Sequence, residues 1–346
     1  MFKRILVPLD GSPLSEHAIP VAARIARASG GVVVLLRVVS PRVEYGYAYG
    51  SYLVQMPSST IENMVQVDLA DATHYLESAA TASDLTGVHT TIEVDSGSAA
   101  AMILDTVQAQ HINLVVMSSH GDTGLKRWVL GSVAQKVARH ASVPVLVLRD
   151  WGRQTEGDGP HPYIERPLRV LVPLDGSANA KAALAPAAQL IAALATPGQG
   201  AIHLVRIVGP ERLHGVQEDV DAITREAILH KAKRYLRSIT EHLREGIASD
   251  LKLAVTWSVA LDTDIAHAII RVAENGEDAE GAGVFGGCDL IAMSTHGRGG
   301  LQLWAVGSVT ERILRGTRLP LLIVRPQKVE SKNGVVEGEE ESMTAV

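Results

Sequence analysis

Arg4-Ile-Leu-Val-Pro-Leu-Asp-Gly-Ser12 and Arg169-Val-Leu-Val-Pro-Leu-Asp-Gly-Ser177 are one phrase written twice, 165 residues apart. Each is an apolar run closed by Asp-Gly-Ser, which reads as a buried strand passing through a turn into a helix start. Further along, Val116-Met-Ser-Ser-His-Gly121 returns as Ala292-Met-Ser-Thr-His-Gly297, and Trp128-Val-Leu-Gly-Ser132 as Trp304-Ala-Val-Gly-Ser308, now 176 residues apart. The chain is therefore an internal repeat whose second copy has gained length.

At 346 residues the chain exceeds what one hydrophobic core usually serves, so two domains are expected. The repeat places them at 1–149 and 167–326. Residues 150–166, rich in Gly, Pro and charge, form the linker, and the acidic residues 327–346 have the composition of a disordered tail. Much of the extra length of the second copy falls in the Gly-rich acidic run 275–287, which has neither helical nor strand periodicity and reads as a flexible surface loop.

Apolar residues make up 46% of the chain but aromatics only 4%, so the core is built from Val, Ile, Leu and Ala. That composition suits parallel strands buried on both faces beneath helices. In the first copy strands are expected at 5–9, 32–39, 89–94, 114–118 and 145–148. In the second they fall at 170–174, 202–208, 252–258, 290–294 and 321–324, with helices between. The series is βαβ throughout, hence α/β and doubly wound. One helix is expected from Ser12-Pro13 to about residue 28, bent or started late at Pro20.

Net charge is −6, with 32 basic and 38 acidic residues, and supplies neither a basic stripe for nucleic acid nor a polybasic membrane anchor. The single cysteine, Cys288, excludes an internal disulfide framework and a Cys-based zinc cluster, and reads as a small buried hydrophobe. No stretch approaches the roughly 20 apolar residues of a membrane span. The expected compartment is the cytoplasm.

In an open α/β sheet, ligands bind beyond the carboxyl ends of the strands. Ser118-Ser-His-Gly121, nine residues, then Gly131-Ser132 follows a strand and opens a helix whose free amides and dipole favour an anion. Gly121 and Gly131 permit close backbone approach, while Ser132 either caps the helix or donates its hydroxyl. Gly297, Gly307 and Ser308 repeat the arrangement. Asp10 and Asp175, at the ends of the first strands, face the same crevice, either as acceptors from a ribose or adenine or as turn residues. His120 and His296 either order the loop or move protons. Lys126, Arg127 and Arg298 meet phosphate or water, and Trp128 and Trp304 read as packing anchors. The tyrosine-rich segment 43–56 covers the ligand, contacts another subunit, or is simply a surface loop.

The pairing of Val-Pro-Leu-Asp-Gly-Ser with Ser-x-His-Gly-x9-Gly-Ser resembles the universal stress protein family in both copies. The resemblance implies, per domain, a five-stranded parallel sheet of order 3-2-1-4-5, adenine-nucleotide alpha hydrolase-like, with ATP between strands one and four. Carried over by position, the adenosine end meets Pro8, Leu9, Asp10 and the Val38 backbone, and the phosphates meet Ser118, Gly121, Gly131, Ser132 and Val133. In the second copy the matching residues are Pro173, Leu174, Asp175, Ile207, Ser294, Gly297, Gly307, Ser308 and Val309. Ser118 and Ser294 depart from the family pattern, which has glycine there. Any Mg or Mn travels with the nucleotide. The final strands, 144–149 and 320–325, resemble those through which the family pairs domains, which implies an internal pseudo-dimer and allows a dimer of chains.

Three functions follow: a nucleotide-responsive stress-response regulator or interaction module, a slow ATPase, and a scaffold that binds no nucleotide. A Walker-type Gly-x4-Gly-Lys-Ser/Thr sequence is absent, as are His-x-Gly-His and Ser-Gly-Gly-x-Asp-Ser, so binding is favoured over rapid turnover or adenylate chemistry.

Overall fold

A computed structural model describes residues 1–40, 58–119, 130–149, 167–209, 218–296 and 307–326. In the first half the elements are β1 (Arg4–Leu9), α1 (Pro13–Glu16), α2 (Ala18–Ser29), β2 (Val32–Val39), α3 (Ser58–Ala80), β3 (His89–Ser96), α4 (Ala99–Ala109), β4 (Leu114–Ser118), α5 (Ser132–His140) and β5 (Val145–Leu148). The second half repeats them as β6 (Leu168–Pro173), α6 (Ala178–Lys181), α7 (Leu184–Ala195), β7 (Gly200–Val208), α8 (Glu218–Glu245), α9 (Ile247–Asp250), β8 (Ala254–Leu261) and α10 (Ile265–Asn275). After α10 come β9 (Glu277–Ala279), β10 (Gly283–Phe285), β11 (Leu290–Ser294), α11 (Ser308–Gly316) and β12 (Leu321–Val324).

Among the described residues ten strands join in one sheet of order β3-β2-β1-β4-β5-β12-β11-β6-β7-β8. Each half has the order 3-2-1-4-5 with parallel neighbours. The halves meet where β5 and β12 pair antiparallel, with Leu146 opposite Leu322. An apolar edge strand is an unpaired row of amides and carbonyls, and here each half supplies the other's missing neighbour.

Strand alternation divides the core in two. Ile5, Val7 and Leu9 lie with α2 on one face, and Leu6, Val34 and Val115 lie with α4 and α5 on the other. Every one of these side chains is less than 5% exposed, as burial on both faces of a parallel sheet requires.

The expected first helix is two. Pro20, in the first turn of α2, has no N–H, and its ring would collide with the carbonyl four residues back, so the chain breaks at His17 and restarts at Ala18. The run 275–287 is not an irregular loop. β9 and β10 form an antiparallel hairpin, and Phe285 is buried at 7% exposure, so one apolar anchor orders a segment with no periodicity. Cys288 is buried. No helix among the described residues is long and apolar enough to cross a membrane. The linker at 150–166, the tyrosine segment at 43–56 and the tail at 327–346 lie outside the described residues.

Candidate functional site

β1 and β4 are parallel neighbours, as are β6 and β11, so in each half the Asp-Gly-Ser turn and the start of the glycine loop emerge from the same edge of the sheet. Gly11 carries φ +85° and Gly176 φ +91°, a backbone that L side chains rarely adopt. Asp10 Oδ1 accepts from Ser12 N at 3.0 Å and Ser12 Oγ at 2.6 Å, and Asp175 Oδ1 accepts from Ser177 N at 2.8 Å and Ser177 Oγ at 2.6 Å. Ser12 and Ser177 then cap α1 and α6, their hydroxyls accepting from Ser15 N at 3.2 Å and Ala180 N at 3.1 Å. One oxygen of each aspartate is thus engaged in fixing the turn.

Beyond β4, Ser119 N donates to Leu148 O at 2.7 Å, and the far end of the loop returns through Gly131 N to Ser119 O at 2.8 Å. The second half copies this with Thr295 N to Val324 O at 2.9 Å and Gly307 N to Thr295 O at 2.8 Å. Gly131 and Gly307, rather than Ser132 and Ser308, occupy the N-cap positions, and among the described residues neither α5 nor α11 has a side-chain cap on its first amides. Ser132 and Ser308 are exposed at the first helical position. A helix start of this kind presents partial positive charge to whatever lies in front of it.

The other residues expected at the cleft divide by face. Pro8 and Pro173 are half-buried on the side of α4/α5 and α10/α11, where Val38, Val133, Ile207 and Val309 also pack. Leu9 and Leu174 point the other way and are buried with α2 and α7, which leaves only their backbone to the cleft. Ser294 is 7% exposed, and its hydroxyl is held inside the loop: it donates to His296 O at 3.0 Å and accepts from His296 N at 3.3 Å. His296 Nδ1 shares a hydrogen bond with Thr295 Oγ1 at 2.9 Å, and Thr310 Oγ1 donates to Ser294 O at 3.1 Å, so the end of β11 is tied to its own next two residues and to α11. Ser118 is half-buried. Gly121, Gly297, His120, Lys126, Arg127, Trp128, Arg298 and Trp304 lie outside the described residues.

Sequence reasoning missed a pair beside each mouth. Arg37, next to the end of β2, lies 5.0 Å over the ring of Tyr75, and Arg206 lies 5.0 Å over Tyr235. A Cβ on Gly11 would strike the Arg37 guanidinium, so the turn and this arginine fit together. Tyr75 donates to Glu16 Oε1 at 2.9 Å; burial, reinforced by Glu16, raises its hydroxyl above the ordinary tyrosine value. In the second half Lys181 stands where Glu16 stands in the first, and its Nζ lies 5.6 Å over Tyr235. The signal was available in Leu36-Arg37-Val38 and Val205-Arg206-Ile207.

A profile of the universal stress protein family matches residues 1–149 and again 168–325. The chain is similar along most of its length to a universal stress protein of Mycolicibacterium smegmatis, 25% identical over 93% of this chain and 97% of that one. It is likewise similar to one of Mycobacterium tuberculosis, 26% identical over 93% and 96%. Among solved structures, a universal stress protein from Archaeoglobus fulgidus shares the fold with a TM-score of 0.53 at 18% identity, over 93% of this chain and 96% of that one. Two matched regions, two copies of the strand-end turn and full-length relatives agree that the chain belongs to the universal stress protein family, as a member with two such domains in tandem.

Proposed function

We propose that the chain binds an adenine nucleotide, ATP, at the mouths of one or both domains and acts as a nucleotide-responsive stress-response regulator or interaction module. One observation carries the reading. The mouths are alike in the two halves, with the same aspartate–serine turn and the same return bond onto a helix with glycine at its N-cap, although at the opposite end of the sheet a hydrogen-bonded Arg4–Gln110–Glu93 relay in the first half gives way to the β9–β10 hairpin in the second. Retention at one end and divergence at the other is what a ligand site in both copies would leave.

In this reading residues 1–149 and 167–326 are the two binding domains, joined by 150–166 and followed by the tail 327–346. Asp10, Pro8 and the backbone of Leu9 and Val38 face the nucleoside, as do Asp175, Pro173, Leu174 and Ile207. The phosphates face Ser118, Gly121, Gly131, Ser132 and Val133, or Ser294, Gly297, Gly307, Ser308 and Val309. Ser294 contributes its backbone, because its hydroxyl is engaged in the loop. Among the described residues no three His, Cys, Asp or Glu side chains come together, and the reading has any Mg or Mn carried by the nucleotide. Hydrolysis, where it occurs, is slow. The protein acts in the cytoplasm.

Equilibrium dialysis of the purified full chain against millimolar ATP tests this. Retention of ATP that is lost in Gly131→Glu combined with Gly307→Glu supports it, whereas retention unchanged in that double variant refutes the assigned site.

A further inference from the structure

The two helices that open on the Gly–Ser pairs touch across the boundary between the halves. Arg139, in the last turn of α5, places Nη2 3.5 Å from Glu311 Oε1, in the first turn of α11. Arg315, one turn further along α11, reaches the same oxygen at 2.7 Å. The end of α5 is held there by Arg325, whose Nη1 donates to His140 O at 3.3 Å. Arg139 is largely covered, with its side chain 32% exposed and its Nε buried without a hydrogen-bond partner among the described residues.

The contact has no mirror image. Gly131-Ser132 aligns with Gly307-Ser308, so Glu311 is matched in the first half by Gln135, and Arg139 by Arg315. Only the second cleft therefore carries a carboxylate in the opening turn of its helix, where Glu311 N donates to Gly307 O at 2.9 Å. A carboxylate there suits the helix dipole but opposes a second anion at the same end. A half-exposed ion pair adds little to stability, yet its net charge still shapes the field at a nearby site.

We propose that Arg139 of the first domain is a specificity-determining residue for the second cleft. By neutralising Glu311 together with Arg315, it lets the opening turn of α11 receive a polyphosphate, whereas the first cleft, with Gln135 at the matching position, has no such requirement. The inference rests on the nucleotide reading above and adds to it a direction: the second site depends on the first domain, and the first does not depend on the second in this way.

Photolabelling of the full chain with 8-azido-ATP, followed by peptide mapping, reads the two clefts separately. In Arg139→Ala, half-maximal labelling of the second domain is expected to need about threefold more ligand at low salt, with the difference shrinking as salt is raised, while the first domain is unchanged. Arg139→Lys keeps the charge and restores labelling, as does Glu311→Gln placed in the Arg139→Ala background. Labelling by 8-azidoadenosine, which has no phosphates, stays the same in all variants. An equal loss in both domains, an equal loss with 8-azidoadenosine, or no loss at all overturns the proposal. Wild-type protein in which neither domain is labelled refutes the nucleotide reading itself. Labelling confined to the first domain leaves that reading standing for one cleft and overturns this proposal.

Discussion

The same corner of the fold is solved in two ways in the two halves. In the first, Arg4 Nη2 donates to Gln110 Oε1 at 2.8 Å, and Gln110 Nε2 donates to Glu93 Oε2 at 3.0 Å, a polar relay from the start of β1 through the end of α4 to the middle of β3. In the second, Gly276 stands at the helix end where Gln110 stood, and the β9–β10 hairpin follows it. Phe285 from that hairpin lies 4.6 Å beneath the guanidinium of Arg169, which matches Arg4, and 4.2 Å from the ring of His203. The strand register aligns His203 with Val34 and Ser258 with Glu93, so the added length has come with a buried imidazole. The hairpin packs at the amino ends of the strands, away from the mouths. It adds an apolar anchor to the second half at Arg169, the amino end of the shared strand, and leaves the Asp-Gly-Ser turn at the other end as it is in the first half.

The sharpest way to break the comparison is Gly276→Ala. Gly276 has φ +83°, and a Cβ there would land on the Phe285 carbonyl, so the hairpin cannot stay docked. Losing the burial of Phe285 is expected to cost about 3 kcal/mol or more, seen by native-state hydrogen exchange as early opening of the second half alone. Gln110→Ala, the matching change in the first half, loses relay hydrogen bonds and should cost about 1 kcal/mol. Equal costs would mean that the hairpin is an ornament.

Acid comes next. His203 is fully buried, and desolvation, with Arg169 adding to it, lowers its pKa to about 3. Its two ring nitrogens each make a 2.8 Å hydrogen bond to a hydroxyl, of Thr256 and Ser258, which suits the neutral ring. The unfolded chain binds this proton below about pH 6.5 and the folded one only near pH 3, so stability is present above pH 6.5 and is lost as pH falls. The loss in the second half should approach about 1.4 kcal/mol per pH unit between those values. A His203→Val variant should flatten that slope; an unaltered slope would show that another group controls acid unfolding.

A smaller difference concerns the caps. Asp264 caps α10 by accepting from His267 N at 3.0 Å and pairs with Arg312 of α11, which holds its carboxyl below the usual carboxylate value. Ser98, in the matching place, makes no side-chain cap bond. Asp264→Ala should therefore lower the urea midpoint, and Ser98→Ala should lower it much less.

These asymmetries also mark how far the sequence could be read. Val-Pro-Leu-Asp-Gly-Ser and the glycine loop place both mouths, because a buried strand, a turn and a helix start leave local signatures. The strand order came from the family resemblance, as did the pairing of β5 with β12, which suits two apolar edges needing partners. The hairpin was missed because its order comes from one residue, Phe285, docking on His203 and Arg169, which lie more than 80 positions earlier in the chain. The break at His17 was blurred because Pro20 is tolerated in a first turn but not in an interior. The burial of Leu9 and the inward turn of the Ser294 hydroxyl depend on which face of a strand or loop a residue takes at its very end. Periodicity is weakest there.

The shared mouths remain the central claim, and ATP binding by the full chain tests them most directly. Equilibrium dialysis of wild type beside the single variants Gly131→Glu and Gly307→Glu should show retained ATP that falls in each variant whose cleft is occupied. ATP absent from the wild type at millimolar concentration, or binding indifferent to both substitutions, would contradict the account.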